Sequence, residues 1–519
     1  MNISGAETLA TLLLHRARTS GDRTFLVFED ASGNVIERTY AETYRRAERA
    51  AGTFASMGAA EGDAVHVHLA NCPEFFDCWF GAALMGAVLV PTNPLLTAEE
   101  LAFVLGHARA RLTVTEPSLL NTLPNARSSG VLVARTDGEF LSRNGIQSFE
   151  AAMDAADTHP SGNVGPGPRD VAAIMYTSGT TDRPKGVCVT HANYLFVGEV
   201  VAQHLRMQPD DRVMIVLPLF HANAQYYCTM SALVTGASIA VAERFSASSW
   251  SQQVARHSAT FASLFAAPIR MILAQEPHAL DNQNRLRAVI FSQNVTEEQL
   301  KEFEDRFGCP LLQLYGMTET VAPPTLNPLY GDRRNMSIGR PTLPASLRIV
   351  GEDGRDVPTG VVGQLLVRGV SGETLMAGYL DDPKATQEAL RDGWLHTGDN
   401  VQADKDGYLY FVDRGKDMIK RGGENISAGE VESVINGHPA VFDCAVIGIP
   451  DSMRDEAVKA FVVRVEGAQV SDAELTEWCA VRLAKFKVPS AIEFVEALPR
   501  TSVGKIQKEK LRQRATPLK

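Results

Sequence analysis

Through roughly the first 400 residues, short apolar runs alternate with stretches whose apolar positions recur at helical spacing. "AVHVHLA" (64–70) gives way to "CPEFFDCWFGAALMGAV" and then to "LVPTN". "RVMIVLPL" (212–219) leads into a helical stretch and "GASIAVA", and "AVIFS" (288–292) into "TEEQLKEFEDRFG". This strand-then-helix rhythm predicts a largely parallel α/β sheet with helical crossovers. "GPGPRD" (165–170) marks a loop or subdomain seam. No repeat of 20–50 residues is visible, which excludes solenoids and propellers.

From about residue 341 the pattern shortens. "SLRIVGEDGRDVPTGVVGQLLVRG" reads as brief strands split by Asp-Gly and Pro-Thr-Gly turns, a small antiparallel β unit. After "YFVDRGKDMIKRGGENIS" (410–427), the segments "AGEVESVINGHP", "DCAVIGIPD", "KAFVVRV", "SDAELTEWCAVRLAKF" and "AIEFVEALP" read α-β-β-α-β. The charged, Gly-containing "DRGKD" is the expected linker. The expected layout is a large N-terminal domain of parallel α/β subdomains plus a small β unit (1–414), followed by a small C-terminal α+β domain (415–519).

Composition narrows the function classes. A net charge of −11 argues against nucleic-acid binding, which needs Lys and Arg on phosphates. The seven cysteines form no CxxC pair and read as reduced, buried thiols. "MNISGAETLATLLLHRARTSGDR" lacks a basic region ahead of its apolar stretch, so it predicts an amphipathic helix and no signal peptide. No window approaches the roughly 18 apolar residues of a membrane span, and "TPLK" matches no lipidation or retention signal. A cytoplasmic protein is expected. Dimerisation of identical chains stays open.

Candidate chemistry begins at "MYTSGTTDRPKGVCVTH", Met175–His191. Its Gly/Thr-rich centre suits an anion-binding nest: Thr177, Ser178, Thr180 and Thr181 add hydroxyl donors around Gly179, and Lys185 adds a point charge. It is not a Walker A loop, because Pro184 stands where the second glycine belongs and Gly186 follows Lys185. A solvated loop explains this composition equally well. In "QLYGMTET" (313–320), Tyr315 at a strand end offers a face for a purine, Thr318 a phosphate hydrogen bond and Glu319 a hard oxygen ligand for Mg²⁺. In "GWLHTGD" (393–399), Asp399 on a Gly turn suits ribose hydroxyls. In "PRTSVGKIQK" (499–508), Lys505 alone reads as a solvated charge.

Taken in order, TSGTTxxPKG, LPLFH, YGMTE, TGD, DR, GGEN and a C-terminal GK resemble the adenylate-forming superfamily of acyl-CoA synthetases, luciferases and peptide-synthetase adenylation domains. "MIKRGGENIS", "DSMRDEAVKAFVV", "LAKFKVPS" and "SQNVTEEQLKEFEDRFG" look most like bacterial crotonobetaine/carnitine-CoA ligases. The resemblance implies that a carboxylate attacks the α-phosphate of ATP, giving acyl-AMP and pyrophosphate, a step of positioning and charge neutralisation. By resemblance, Thr177–Lys185 hold the pyrophosphate end, Glu319 ligates Mg²⁺, Tyr315–Gly316 lie against adenine, and Asp399 and Arg414 bind ribose. Lys505, on a mobile C-terminal domain, bridges the carboxylate and α-phosphate. That domain then swings about Lys416 and presents the Gly422–Asn425 loop.

Several positions depart from the pattern. Asp182 replaces a usual Gly beside the phosphate loop and is expected to turn outward or pair with Arg183. Val503, Gln364, Lys508 and "SQNV" (292–295) also differ from the usual residues. The expected acyl wall comprises His221, Asn223, Gln225, Tyr226, Tyr227, Phe291, Gln293 and Met317, with His221 as a gate. The segments 220–227 and 291–294 carry no acid, so a neutral, small-to-medium carboxylic acid is expected over a quaternary ammonium substrate, although the aromatics offer a partial cage. Coenzyme A is the expected acceptor. The alternative is a CoA-independent ligase that passes the acyl-adenylate to an amine such as an amino acid. A P-loop NTPase is disfavoured by the missing Gly-Lys-Ser/Thr, and a degenerate scaffold by the presence of Lys505, Glu319 and Asp399.

Overall fold

The structure is a computed structural model that describes residues 6–124, 130–136, 146–157, 165–177, 184–293, 295–414, 418–421, 424–451, 455–500 and 506–515. Two large sheets organise the chain up to residue 341, with one later strand, Gly378–Tyr379, added to the second. In the nine-stranded sheet, the strands Leu311–Tyr315, Ala288–Ser292, Phe261–Phe265, Arg212–Ile215, Ser238–Ala242 and Thr24–Glu29 lie side by side in parallel. Antiparallel strands flank them: Val35–Thr39 at one edge, Thr325–Leu326 and Arg340–Pro341 at the other. The eight-stranded sheet is likewise parallel inside, and its antiparallel edge is formed by Lys185–Thr190 and Gly378–Tyr379.

The parallel order follows from the strand-helix rhythm, and the crossover helices carry the apolar faces that fill the space between strands. Helix Glu297–Phe307 shows the local logic: Thr296 caps its first turn reciprocally with Gln299, and Gly308 ends it with φ 66°. Helices Leu9–Thr19, Tyr40–Ser56, Pro73–Met85 and His191–His204 contribute to one continuous core with residues of both sheets. Pro73–Met85 is apolar nearly all round, with Phe75, Phe76, Trp79 and Phe80 buried, as a central helix must be. Each such side chain contributes about 1.5–3 kcal/mol. A second core, containing Trp250, Phe291, Phe303 and Phe307, holds a different set of the nine-stranded sheet's side chains. No described helix is long and apolar enough to cross a membrane.

A five-stranded, antiparallel sheet follows, with Ser346–Val350, Gly363–Arg368, Trp394–Ala403, Leu390–Arg391 and Leu409–Arg414. Residues 418–515 build a separate sheet with cores of their own. The expected α-β-β-α-β order is present as Ala428–Asn436, Val441–Asp451, Asp455–Arg464, Asp472–Arg482 and Ala491–Phe494. The strand pair Met418–Arg421 and Glu424–Ser427 precedes it, and helix Lys508–Arg514 follows. Neither addition is signalled by apolar periodicity, because both segments are short and polar.

Of the two carboxylates in the apolar helix Pro73–Met85, Glu74 and Asp77, the second is the more deeply buried. Asp77 is 0% exposed and accepts hydrogen bonds from Arg38 at 2.8 Å and Arg46 at 2.7 Å. Removing it strands two partly buried guanidinium groups. Asp77→Ala is expected to cost about 3–5 kcal/mol in denaturant unfolding; a loss below about 1 kcal/mol would show that the pair is merely incidental.

Candidate active site

The phosphate-loop segment joins two antiparallel strands. Val171–Thr177 pairs with Lys185–Thr190, and Thr177 stands opposite Lys185. The following helix starts only at His191, one full strand later than a strand-loop-helix motif requires. In a Walker loop a helix N-terminus follows the loop directly, whereas here a strand, Lys185–Thr190, intervenes. Ser178, Gly179, Thr180, Thr181, Asp182 and Arg183 lie outside the described residues.

Lys185 is tied to Glu319 through a residue that sequence reasoning missed. The Lys185 ammonium sits 4.8 Å from the centre of the Tyr379 ring. Tyr379 pairs with Val187 across the sheet edge, and its hydroxyl donates to Glu319 Oε1 at 3.0 Å. Burial, and then the Glu319 charge, push the Tyr379 phenol up from its ordinary range, so it stays a hydrogen-bond donor. Glu319 is buried in a single turn, Thr318–Thr320, directly after the Leu311–Tyr315 strand. The Met376 N–H fixes its backbone carbonyl at 3.1 Å. In the sequence, Tyr379 lies in "MAGYLDD", where nothing but a turn is signalled.

A second link joins Tyr315 to Asp399. The Tyr315 hydroxyl donates to Asp399 Oδ2 at 2.6 Å, and its ring lies 6.5 Å from Phe411 at a shallow angle of 28°. Asp399 is 2% exposed, and its N–H donates to Thr397 Oγ1 at 3.1 Å. Arg414 is its cross-strand neighbour in backbone register. Gly316 is required by packing: a Cβ there would meet the Tyr227 hydroxyl at 2.3 Å. Met317 lies with its sulfur 3.8 Å from the Tyr315 hydroxyl, and its N–H donates to Thr320 at 3.0 Å. Thr318 begins the Glu319 turn and is partly exposed.

The acyl-wall expectations divide. His221 packs edge-on to Phe265 at 5.8 Å, and its Nδ1 accepts the Asn223 N–H at 3.2 Å, which leaves the proton of a neutral ring on Nε2. Asn223 opens the π-helix Asn223–Met230, a backbone form frequent at functional sites. Gln225 is wholly buried; its amide donates to Leu219 O at 2.7 Å and accepts from Tyr194 at 2.6 Å. Phe291 is 0% exposed in the core with Trp250 and Phe303, whereas its neighbour Ile290 belongs to the central core. Strand alternation sends the two side chains to opposite faces. Gln225 and Phe291, both expected in the wall, are fully buried, the first by hydrogen bonds and the second in an aromatic core. Gln293 holds φ 75°, a conformation that suits glycine, and its carbonyl accepts from the Gln313 amide at 3.1 Å. Asn294, Lys416 and Lys505 lie outside the described residues. All seven cysteines are free thiols, and Cys188 alone among them is not fully buried.

The sequence matches the family model "AMP-binding enzyme" over residues 13–380 and "AMP-binding enzyme C-terminal domain" over residues 430–505. It is 38% identical over 518 residues to a crotonobetaine/carnitine–CoA ligase of Salmonella agona (strain SL483), covering 99% of this chain and 100% of the relative. The anthranilate CoA ligase AuaEII, solved with anthranoyl-AMP, superposes with a TM-score of 0.87 at 26% identity over 98% of this chain and 97% of that one. MatB from Rhodopseudomonas palustris, 29% identical over 99% of both chains, superposes with a TM-score of 0.85 in its ATP-bound form and 0.75 in its apo form. The family match spans most of the chain and the whole-length relatives are ligases, so this chain belongs to the AMP-binding, adenylate-forming enzymes, and among them to the acid–thiol ligases.

Proposed function

We propose a substrate class and a division of labour for this acid–CoA ligase. The enzyme activates a carboxylic acid with ATP, forming acyl-AMP and pyrophosphate, then passes the acyl group to coenzyme A and releases AMP. The observation that carries the assignment of roles is the pair of buried links, Tyr379 to Glu319 and Tyr315 to Asp399. They bring elements of all three N-terminal sheets to one corner.

In this reading Thr177 and Lys185, with Ser178, Gly179, Thr180 and Thr181, hold the pyrophosphate end of ATP. Tyr315 and Gly316 face adenine, Thr318 reaches a phosphate, and Asp399 with Arg414 holds the ribose. Among the described residues no three His, Cys, Asp or Glu side chains gather to hold a metal. A single buried carboxylate, Glu319, instead fits Mg²⁺, which keeps water and phosphate oxygens as its remaining ligands. Bound there, Mg²⁺ neutralises phosphate charge. Tyr379 holds the Glu319 carboxylate in place while Lys185 is kept against the same ring. Lys505 stabilises the charge that grows between the carboxylate and the α-phosphate. Residues 415–519 act as the moving domain, with Lys416 as the hinge.

His221, Asn223, Met317 and Tyr227 line the acyl site, with Gln293 at its adenine end. The side chains named there are neutral or aromatic, which favours a neutral acid over the charged acid named for the 38%-identical relatives. The acceptor is CoA; the name of the whole-length relative supports this over an amine.

The test is product analysis with ATP, Mg²⁺ and a panel of butyrate, crotonate, benzoate and carnitine, with CoA or amino acids as acceptor. Thioester, AMP and pyrophosphate from a neutral acid are expected; amide formation without CoA, or turnover of carnitine alone, would sink the reading. Lys505→Ala is expected to slow acid-dependent pyrophosphate exchange about 100-fold or more while sparing transfer from preformed acyl-AMP. Equal loss in both half-reactions contradicts that role. Tyr379→Phe removes a hydrogen bond to a carboxylate worth about 1.5–3 kcal/mol, so exchange should fall roughly 10–100-fold with a raised Mg²⁺ requirement. An unchanged Mg²⁺ titration would remove Tyr379 from the site.

A further inference from the structure

The small domain meets the large one through a buried carboxylate that the adenylation chemistry does not use. Asp443, in the strand Val441–Asp451, is 2% exposed. A register shift between Val441 and Asp443 marks a bulge, a device that re-aims side chains. Asp443 Oδ1 accepts the Cys444 N–H at 2.9 Å. Oδ2 lies 3.3 Å from a guanidinium nitrogen of Arg270 and in ion contact with Arg500.

The two arginines come from different places. Arg270 is on helix Ala266–Leu273 of the large domain, immediately after Phe265, whose ring packs on His221. Arg500 belongs to the small domain and stands five residues before Lys505. It forms an isolated antiparallel bridge with Ile506, so both ends of the 501–505 segment are tied together at this point. Among ion pairs between described residues, Arg270–Asp443 is the one that joins residues before 414 to residues after 418. Burial, and then the charge of Arg270, bring the Arg500 guanidinium down to about 10.

We propose that Asp443 is the docking residue of the small domain: shared between Arg270 and Arg500, its carboxylate positions that domain for adenylation, and the shared contact breaks for transfer to CoA. The inference rests on the acid–CoA ligase reading above. It is supported by the higher superposition score with the ATP-bound form of MatB than with the apo form of the same chain. An ion-pair contact also suits a reversible latch. Its Coulomb attraction is largely offset by the hydration regained when the groups separate, so the two poses stay close in free energy. An apolar contact of the same size would expose hydrocarbon at every turnover.

Arg270, Asp443 and Arg500 are given no part in the chemistry or in nucleotide binding above, so the role proposed for them is positioning. The test uses full-length Arg270→Ala, Asp443→Asn and the conservative Arg270→Lys. Hydrogen exchange on the ligand-free chain comes first: peptides covering 266–273 and 441–446 should exchange ~tenfold faster in Arg270→Ala and Asp443→Asn, with the central strand Ala288–Ser292 unchanged as a folding control. Then acid-dependent pyrophosphate exchange, with the best acid of the panel, should fall ~tenfold, while transfer from the matching synthetic acyl-AMP stays within twofold. Arg270→Lys should recover most of the exchange rate. Unchanged hydrogen exchange in both loss-of-charge variants overturns the latch, as does equal loss in both half-reactions. If the wild-type chain shows no pyrophosphate exchange with any acid, the ligase reading fails, and the hydrogen-exchange arm still decides the latch.

Discussion

A phenol donating to a carboxylate at 2.6 Å, Tyr315 to Asp399, is the contact on which the site depends. Both groups are buried, and each is carried by a different sheet. A buried carboxylate without its donor costs about 1–3 kcal/mol or more, so the end of the parallel sheet and the antiparallel sheet are held in one relative position. The Tyr379–Glu319 bond does the same for the other large sheet. Joining an acid to ATP needs donors, acceptors and an aromatic face at one point. No single sheet here supplies them all.

That constraint also bears on how a loop that fails the Walker pattern could serve nucleotide chemistry, the role proposed for it. A Walker loop borrows a helix N-terminus, whereas here the flanking strands form an antiparallel pair and the helix begins at His191. Charge compensation must come from elsewhere, and cations such as Lys185 and the distant Lys505 are proposed to supply it. In an AMP-forming reaction the bond broken lies at the α-phosphate, so dividing that task between two domains is chemically reasonable. It also makes the domain contact at Asp443 part of the account.

Much of this was legible in the sequence, and the failures have physical causes. "AVIFS" is a strand at 288–292 and "EEQLKEFEDRF" a helix at 297–307, because apolar spacing and a Thr cap leave little alternative. The strand Lys185–Thr190 went unread because it is embedded in a Gly- and Thr-rich motif that looks like one loop. Reading residues 291–294 as one block hides that Ile290 and Phe291 face opposite ways, as neighbours on a strand do. The sequence gives no sign that the Gln225 amide is held by Leu219 and Tyr194, partners six and 31 residues away. Tyr379 and Asp443 carry no local signal, since Glu319 is 60 residues from the first, and Arg270 and Arg500 are 173 and 57 residues from the second.

The central claim is that a carboxylate oxygen becomes bonded to the α-phosphorus of ATP. Supplying the acid with both carboxylate oxygens as ¹⁸O and weighing the products by mass spectrometry reads that bond directly. The account predicts one ¹⁸O in AMP and none in pyrophosphate, because the acyl-adenylate keeps the bridging oxygen on phosphorus when the thiol takes the acyl carbon. Unlabelled AMP, or label in inorganic phosphate or pyrophosphate, would contradict it.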